Sequence, residues 1–177
     1  MNSNTFFCSI SQVDWDRRLD DRGGNRSTTT VDGIDCPVEE VWWFDATLWS
    51  FKLNGAGLRY EIGLHIASGD LVWVSGPHHP APNPDHVIAQ HPGGLVESLG
   101  DDETFVADGV YKYTPKANTP SGLNNVDERM KALALARHET FNSRLKTSGM
   151  LKNTFQIMSP LLLTIVNGRR IELMSIQ

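Results

Sequence analysis

Leu58-Arg59-Tyr60-Glu61-Ile62-Gly63-Leu64-His65-Ile66 places an apolar residue at every second position. A strand turns successive side chains to opposite faces, so this alternation predicts a strand with one face against a core. Ala67-Ser68-Gly69-Asp70 supplies a turn, and Leu71 to Val74 runs back as its partner, which makes the segment a β-hairpin. Toward the N-terminus, Thr28-Thr29-Thr30-Val31 is a β-branched run, and it predicts another strand over Ser27 to Ile34. Pro37 to Asn54, with Trp42, Trp43, Phe44, Trp49 and Phe51, reads as a long packed loop. Asp14 to Arg26 is dense in charge and reads as a surface segment.

Toward the C-terminus, the prolines between Gly76 and Pro84 predict an irregular loop. A helix is expected from Asp85 to about Gln90. Phe105-Val106-Ala107 predicts a short buried strand ending at Asp108, and Tyr111 to Thr114 another short strand before Pro115. Asn125 is an N-cap candidate with Glu128 three residues on, and Asp127 and Glu128 suit a helix start. Met130, Leu133, Ala134, Phe141 and Leu145 recur at helical spacing and predict a buried stripe, with Glu139, Asn142 and Lys146 on another face. Gly149 is the expected stop. Antiparallel strands followed by strand and helix alternation predict an α/β fold, a mixed sheet flanked by helices. An RNase H-like core has this order.

Composition narrows the function. The 177 residues suffice for one domain with a core, and no apolar run approaches the ~20 residues of a membrane span. The N-terminal residues lack a charged region followed by an apolar one, so no secretory signal is expected. Cys8 and Cys36 are the two cysteines; neither has ligand spacing to another, and free thiols suit a reducing compartment. Four histidines, His78, His79, His86 and His91, lie close together, but the intervening prolines spoil helical ligand spacing for zinc. The net charge of −5 argues against a protein that binds nucleic acid over its whole surface. Its distribution is uneven: residues 1–110 carry 6 basic and 17 acidic side chains, residues 111–152 carry 8 and 3. A phosphate backbone would be met by the later segment.

Four acids fall at element ends or inside elements where a site could assemble: Asp32 within the first strand, Asp85 after the Pro-rich loop, Asp108 after the later strand, and Glu139 on the long helix. Asp has poor strand propensity, so Asp32 inside a β-branched run points to a purpose. Carboxylates are hard oxygen ligands suited to Mg²⁺ or Mn²⁺, and two such ions serve phosphodiester chemistry.

The chain resembles the Harbinger-type DDE transposases and their domesticated relatives. Val31-Asp32-Gly33-Ile34-Asp35-Cys36-Pro37 is similar to that family's first-acid motif. Asn54 to Leu64, Gly69 to Pro77 and Asn83-Pro84-Asp85 resemble the segments that follow it. Val106-Ala107-Asp108-Gly109-Val110-Tyr111 is similar to the Asp-x-x-Tyr motif, and Ala136-Arg137-His138-Glu139-Thr140-Phe141-Asn142-Ser143-Arg144-Leu145-Lys146 to the helix bearing the last acid. The likeness runs from about Thr30 to Lys152. It implies an RNase H-like endonuclease domain over 27–177 behind an extension at 1–26. It also implies a hydrolase active on DNA through two Mg²⁺ or Mn²⁺ ions.

Asp32, Asp108 and Glu139 would then be catalytic. Asp32, Asp85, Asp108 and Glu139 would bind metal, and Arg137, Arg144 and Lys146 would contact DNA. Both Asp85 and Asp108 remain candidates for the second acid; the topology of such a sheet favours Asp108. His138 reads as a packed ring or a polar contact.

The likeness is incomplete. No helix-turn-helix fits the residues before Asp32, so target recognition is expected from another protein or is lost. The closing segment, Pro160 to Ile176, follows the catalytic helix closely. The partners implied are DNA, a separate recognition protein and further copies of the chain, with no membrane, and the location is intracellular, nuclear in a eukaryote. The alternative is an inactive, truncated or domesticated remnant that binds DNA or protein. A related phosphodiesterase acting on RNA is a third reading.

Overall fold

The computed structural model describes residues 13–21, 23–39, 44–123, 125–147, 162–164 and 172–174. Its centre is strand β1 (Ser27–Pro37), buried on both faces along most of its length. That is the pattern of a strand with a layer on each side. β3 (Gly55–His65) pairs antiparallel with β1 from Thr29↔His65 to Pro37↔Gly57. β4 (Leu71–His78) returns antiparallel on β3, whose start also carries the two-residue β2 (Trp49–Ser50). On the other edge of β1, β5 (Thr104–Val106) and then β6 (Ala117–Asn118) add in parallel. The order across the sheet is β4-β3-β1-β5-β6, with β3 alone reversed among these five. The chain is thus an α/β protein with a mixed sheet, as its element order predicts. A separate antiparallel pair joins β7 (Leu162–Thr164) to β8 (Glu172–Met174).

Alternation along β1 defines the two layers. Val31 faces a core with Trp73, Ala89, Leu95, Phe105 and Tyr111, formed against helices α1 (Asp85–Ile88) and α2 (Leu95–Ser98). Phe105 and Tyr111 are fully buried there, edge to face with ring centroids 5.8 Å apart. Burial of a side chain such as Phe105 stabilises by about 1.5–3 kcal/mol. Ile34 faces the other way, onto Ile62, Leu64 and Val74, with Phe141 and Leu145 of α3 (Val126–Thr147) packed against them. Asn125 caps α3 as expected: its Oδ1 accepts from the Glu128 N–H at 2.9 Å.

Several expectations are corrected. Met130 and Leu133 are 58% and 66% exposed, so they do not form the buried stripe. The inward line of α3 is Ala134, His138 and Asn142, one turn apart. This helix presents polar groups to β1, which a reading by apolar periodicity misassigns.

Tyr111 to Thr114 is no strand. Gly109–Tyr111 is a 3-10 turn that drops Tyr111 into the core, and the pairing falls to Ala117–Asn118 instead. β4 continues to His78 through a cis Gly76–Pro77 bond, beyond the expected end at Val74. In the aromatic loop, Phe44 and Phe51 are exposed; Trp42 and Trp43 lie outside the described residues.

The charged segment near the N-terminus is also packed. Trp15 meets Trp73 at 5.1 Å between ring centroids, and the buried Arg18 pairs with the buried Glu103 at 2.8 Å. The proposed stop at Gly149 lies outside the described residues, as does most of Pro160 to Ile176. Cys36 is a free, buried thiol. Among the described residues no helix is long and apolar enough to cross a membrane.

Candidate functional site

Asp32 sits mid-β1 on the face that receives α3, because residues 30, 32 and 34 share one side of the strand. Its Oδ1 accepts from the Gly33 N–H and its Oδ2 from the Asn142 Nδ2, both at 2.8 Å. Burial raises this carboxyl above the usual range. Lys52 and the Gly33 N–H oppose the rise, and the charges of Asp85 and Asp108 add to it.

Asp108 follows the C-terminal end of β5 and is exposed; its Oδ1 accepts from Val110 N–H at 2.9 Å and so caps the 3-10 turn. Glu139 is an exposed residue of α3. Beside it, His138 is buried, with Nδ1 3.0 Å from the Thr30 hydroxyl of β1. Burial pushes His138 down to about 4 against the Thr30 contact, which leaves a neutral ring at neutral pH. It is the packed polar contact that the sequence suggests, and it fastens α3 to the strand bearing Asp32.

These elements enclose a cleft of about 310 Å³, lined by Asp32, Asp108 and Glu139 together with Val31, Leu135, Ala136 and His138. Three acids separated by 76 and 31 positions in the chain thus border one space. Hard oxygen donors, one of them a carboxyl raised chiefly by its burial, suit a divalent cation. The three do not converge on one point: among the described residues no group of three His, Cys, Asp or Glu side chains could hold an ion.

The structure does not bring Asp85 into the cleft. Its carboxylate lies where a side chain of Gly33 would project, so it occupies the opposite face of β1 from Asp32. A Cβ at position 33 would collide with it, which accounts for the glycine after Asp32. There Asp85 pairs with Lys52 at 3.0 Å and with Arg59 at 3.3 Å. Arg59 in turn grips Asp35 through two hydrogen bonds of 2.6 and 2.7 Å. Burial alone would raise Asp35, but the bonds from Arg59 and Ser50 outweigh it and hold the carboxyl below the usual range. Lys52 also donates to the Gly33 carbonyl at 2.7 Å. Asp85 is therefore an anchor beneath the strand, close enough to act on Asp32 through its charge.

Of the three basic residues expected at DNA, Lys146 lies seven positions after Glu139 and shares its side of α3. Arg137 points elsewhere and donates to the Ile66 and Ala67 carbonyls at 2.6 and 3.3 Å, docking the helix on the β3–β4 turn. Arg144 is exposed, five positions after Glu139 and so away from its face.

Sequence reasoning missed the contact of Asn142 with Asp32 and the Lys52-Asp85-Arg59-Asp35 network. Spacing offered a sign of the first, since Asn142 stands three residues from Glu139; nothing in the sequence pairs Asp35 with Arg59 before the register is known. His78 and His91 meet edge to face at 5.6 Å, and His79 Nδ1 contacts the Thr47 hydroxyl. Compared with protein-family models, with curated proteins and with solved structures, the chain matches none.

Proposed function

We propose that the cleft between β1, β5 and α3 is the centre of a DDE-type DNA endonuclease, an RNase H-like domain that hydrolyses phosphodiester bonds with Mg²⁺ or Mn²⁺. The observation that carries this reading is that Asp32, Asp108 and Glu139, from three separate elements, line one cleft. The strand order β4-β3-β1-β5-β6 with β3 reversed agrees with an RNase H-like arrangement. Bound cations would supply activation of water and charge stabilisation at the leaving oxygen.

The chain's own side chains do the rest. Asp32, held through both oxygens, offers a fixed carboxylate. Asp108 and Glu139 face the same space from the sheet end and the helix. Lys146, on the side of Glu139, is placed for a phosphate.

The test is nicking of supercoiled plasmid in Mn²⁺ by the native chain, by Asp32→Ala and by Glu139→Ala. Nicking by the native chain alone is expected. Equal behaviour of all three would remove the enzyme reading for this chain.

The second reading is an inactive relative that binds DNA or protein. One observation favours it: Asp32 and Asp108 already accept N–H donors from the protein, Asp32 on both oxygens. A chain that binds Mn²⁺ at the cleft and DNA, yet leaves the plasmid intact, would fit that reading.

A further inference from the structure

Asn142 is 2% exposed on the line of α3 that faces β1. Asparagine is a poor helix former, and a buried amide costs stability unless its hydrogen bonds are made. Here only the amide nitrogen is used: Nδ2 donates to Asp32 Oδ2 at 2.8 Å, while Oδ1 is buried without a partner among the described residues. An apolar residue would fill this buried position with no such cost. The position thus gives up stability for one bond, and that bond goes to the buried acid of the cleft.

Its effect on Asp32 follows from the geometry. The Gly33 N–H takes one oxygen and the Asn142 amide the other, so the carboxylate plane is fixed from β1 and from α3 at once. Each oxygen keeps a further lone pair for another ligand. Glu139 stands three residues earlier on the same helix, so the bond also ties the two acids into one unit.

We propose that Asn142 is a positioning residue of this site, orienting Asp32 toward a divalent cation and coupling it to the helix that carries Glu139. The inference rests on reading the cleft as a cation site.

Mn²⁺ titration, with free Mn²⁺ followed by electron paramagnetic resonance, tests it on the native chain and on Asp32→Ala, Asn142→Leu and Asn142→Asp. Thermal unfolding in EDTA and in Mn²⁺ accompanies each. We expect binding by the native chain, loss in Asp32→Ala, and affinity weakened about 10- to 100-fold in Asn142→Leu, as for other hydrogen-bond partners of metal ligands. In Asn142→Asp, two facing carboxylates should lower the EDTA melting temperature and enlarge the rise produced by Mn²⁺. A merely structural amide would change melting without changing affinity.

If Asn142→Leu binds Mn²⁺ as tightly as the native chain while Asp32→Ala does not bind, the positioning role alone is overturned. If the native chain does not bind, or Asp32→Ala binds equally well, the cation reading falls and takes this inference with it. Should Asn142→Leu fail to fold, Asn142→Asp decides: a Mn²⁺-induced rise no larger than the native one overturns the role.

Discussion

Glu61 is fully buried on β3, directly across from Gly33. Its Oε1 accepts from the Trp73 indole N–H at 2.9 Å; Oε2 makes no hydrogen bond of ordinary geometry among the described residues, although the Tyr111 hydroxyl lies close by. Burial pushes its carboxyl from an ordinary 4.5 up to about 8; the Trp73 bond and, less, the Tyr111 hydroxyl oppose this, and the Asp85 charge adds to it. The folded protein therefore keeps a proton on Glu61 at pH 7 that the unfolded chain has released.

The sign follows from that difference. Below pH 4.5 both states are protonated, and the group's contribution to stability is fully present. From there toward pH 8 stability falls by about 1.4 kcal/mol per pH unit. Between pH 5 and 7.5 the loss on this group is about 3 kcal/mol. Glu61→Gln keeps the volume and the carbonyl that accepts from Trp73, and it carries no titration.

Urea unfolding of both proteins at several pH values across that range isolates the effect. The stability of the variant minus that of the native chain should climb by about 3 kcal/mol from pH 5 to 7.5. His138, held down at about 4, gains stability as pH rises toward its unfolded value; it is common to both proteins and cancels in the difference. Parallel curves would mean that Glu61 is ionised in the folded protein, and the argument from burial would be wrong.

Two further outcomes follow from buried charge and close approach. Gly33→Ala drives a methyl group into the Asp85 carboxylate, which Lys52 and Arg59 pin in place; we expect a loss of about 3 kcal/mol in denaturant unfolding, and a neutral result would contradict the placement of Asp85. Arg18→Met strands the Glu103 carboxylate, 3% exposed, without its cation; about 3 kcal/mol should be lost at pH 7, whereas a surface segment would register almost nothing.

The sheet was legible where physics is local. Alternation from Leu58 onward placed β3 and its hairpin, and the β-branched Thr28 to Val31 placed β1, because strand periodicity and propensity need no distant partner. The capped start of α3 was readable for the same reason. The inward face of that helix was legible only in part: Ala134, Phe141 and Leu145 do pack inward. Apolar spacing selects Met130 and Leu133, yet the site draws His138 and Asn142 inward and leaves those two in solvent.

Asp32 stood out because an Asp is out of place in a β-branched strand; Glu139, an ordinary acid for the polar side of a helix, stood out through the resemblance of the segment around it. Sheet topology already favoured Asp108 over Asp85, but that Asp85 lies beneath β1 could be seen only once the pleat had put Gly33 and Asp32 on opposite faces. Arg18 with Glu103, and Asp35 with Arg59, are pairings that depend on chain folding over long separations, and composition carries no trace of them.

The most direct test of the cleft as a metal centre is anomalous diffraction from crystals of the chain soaked in Mn²⁺. A peak in contact with Asp32 and with Asp108 or Glu139 is the expected result, absent from crystals of Asp32→Ala. No peak in the cleft, or one confined to Asp85 or to the histidines near His78, would contradict it.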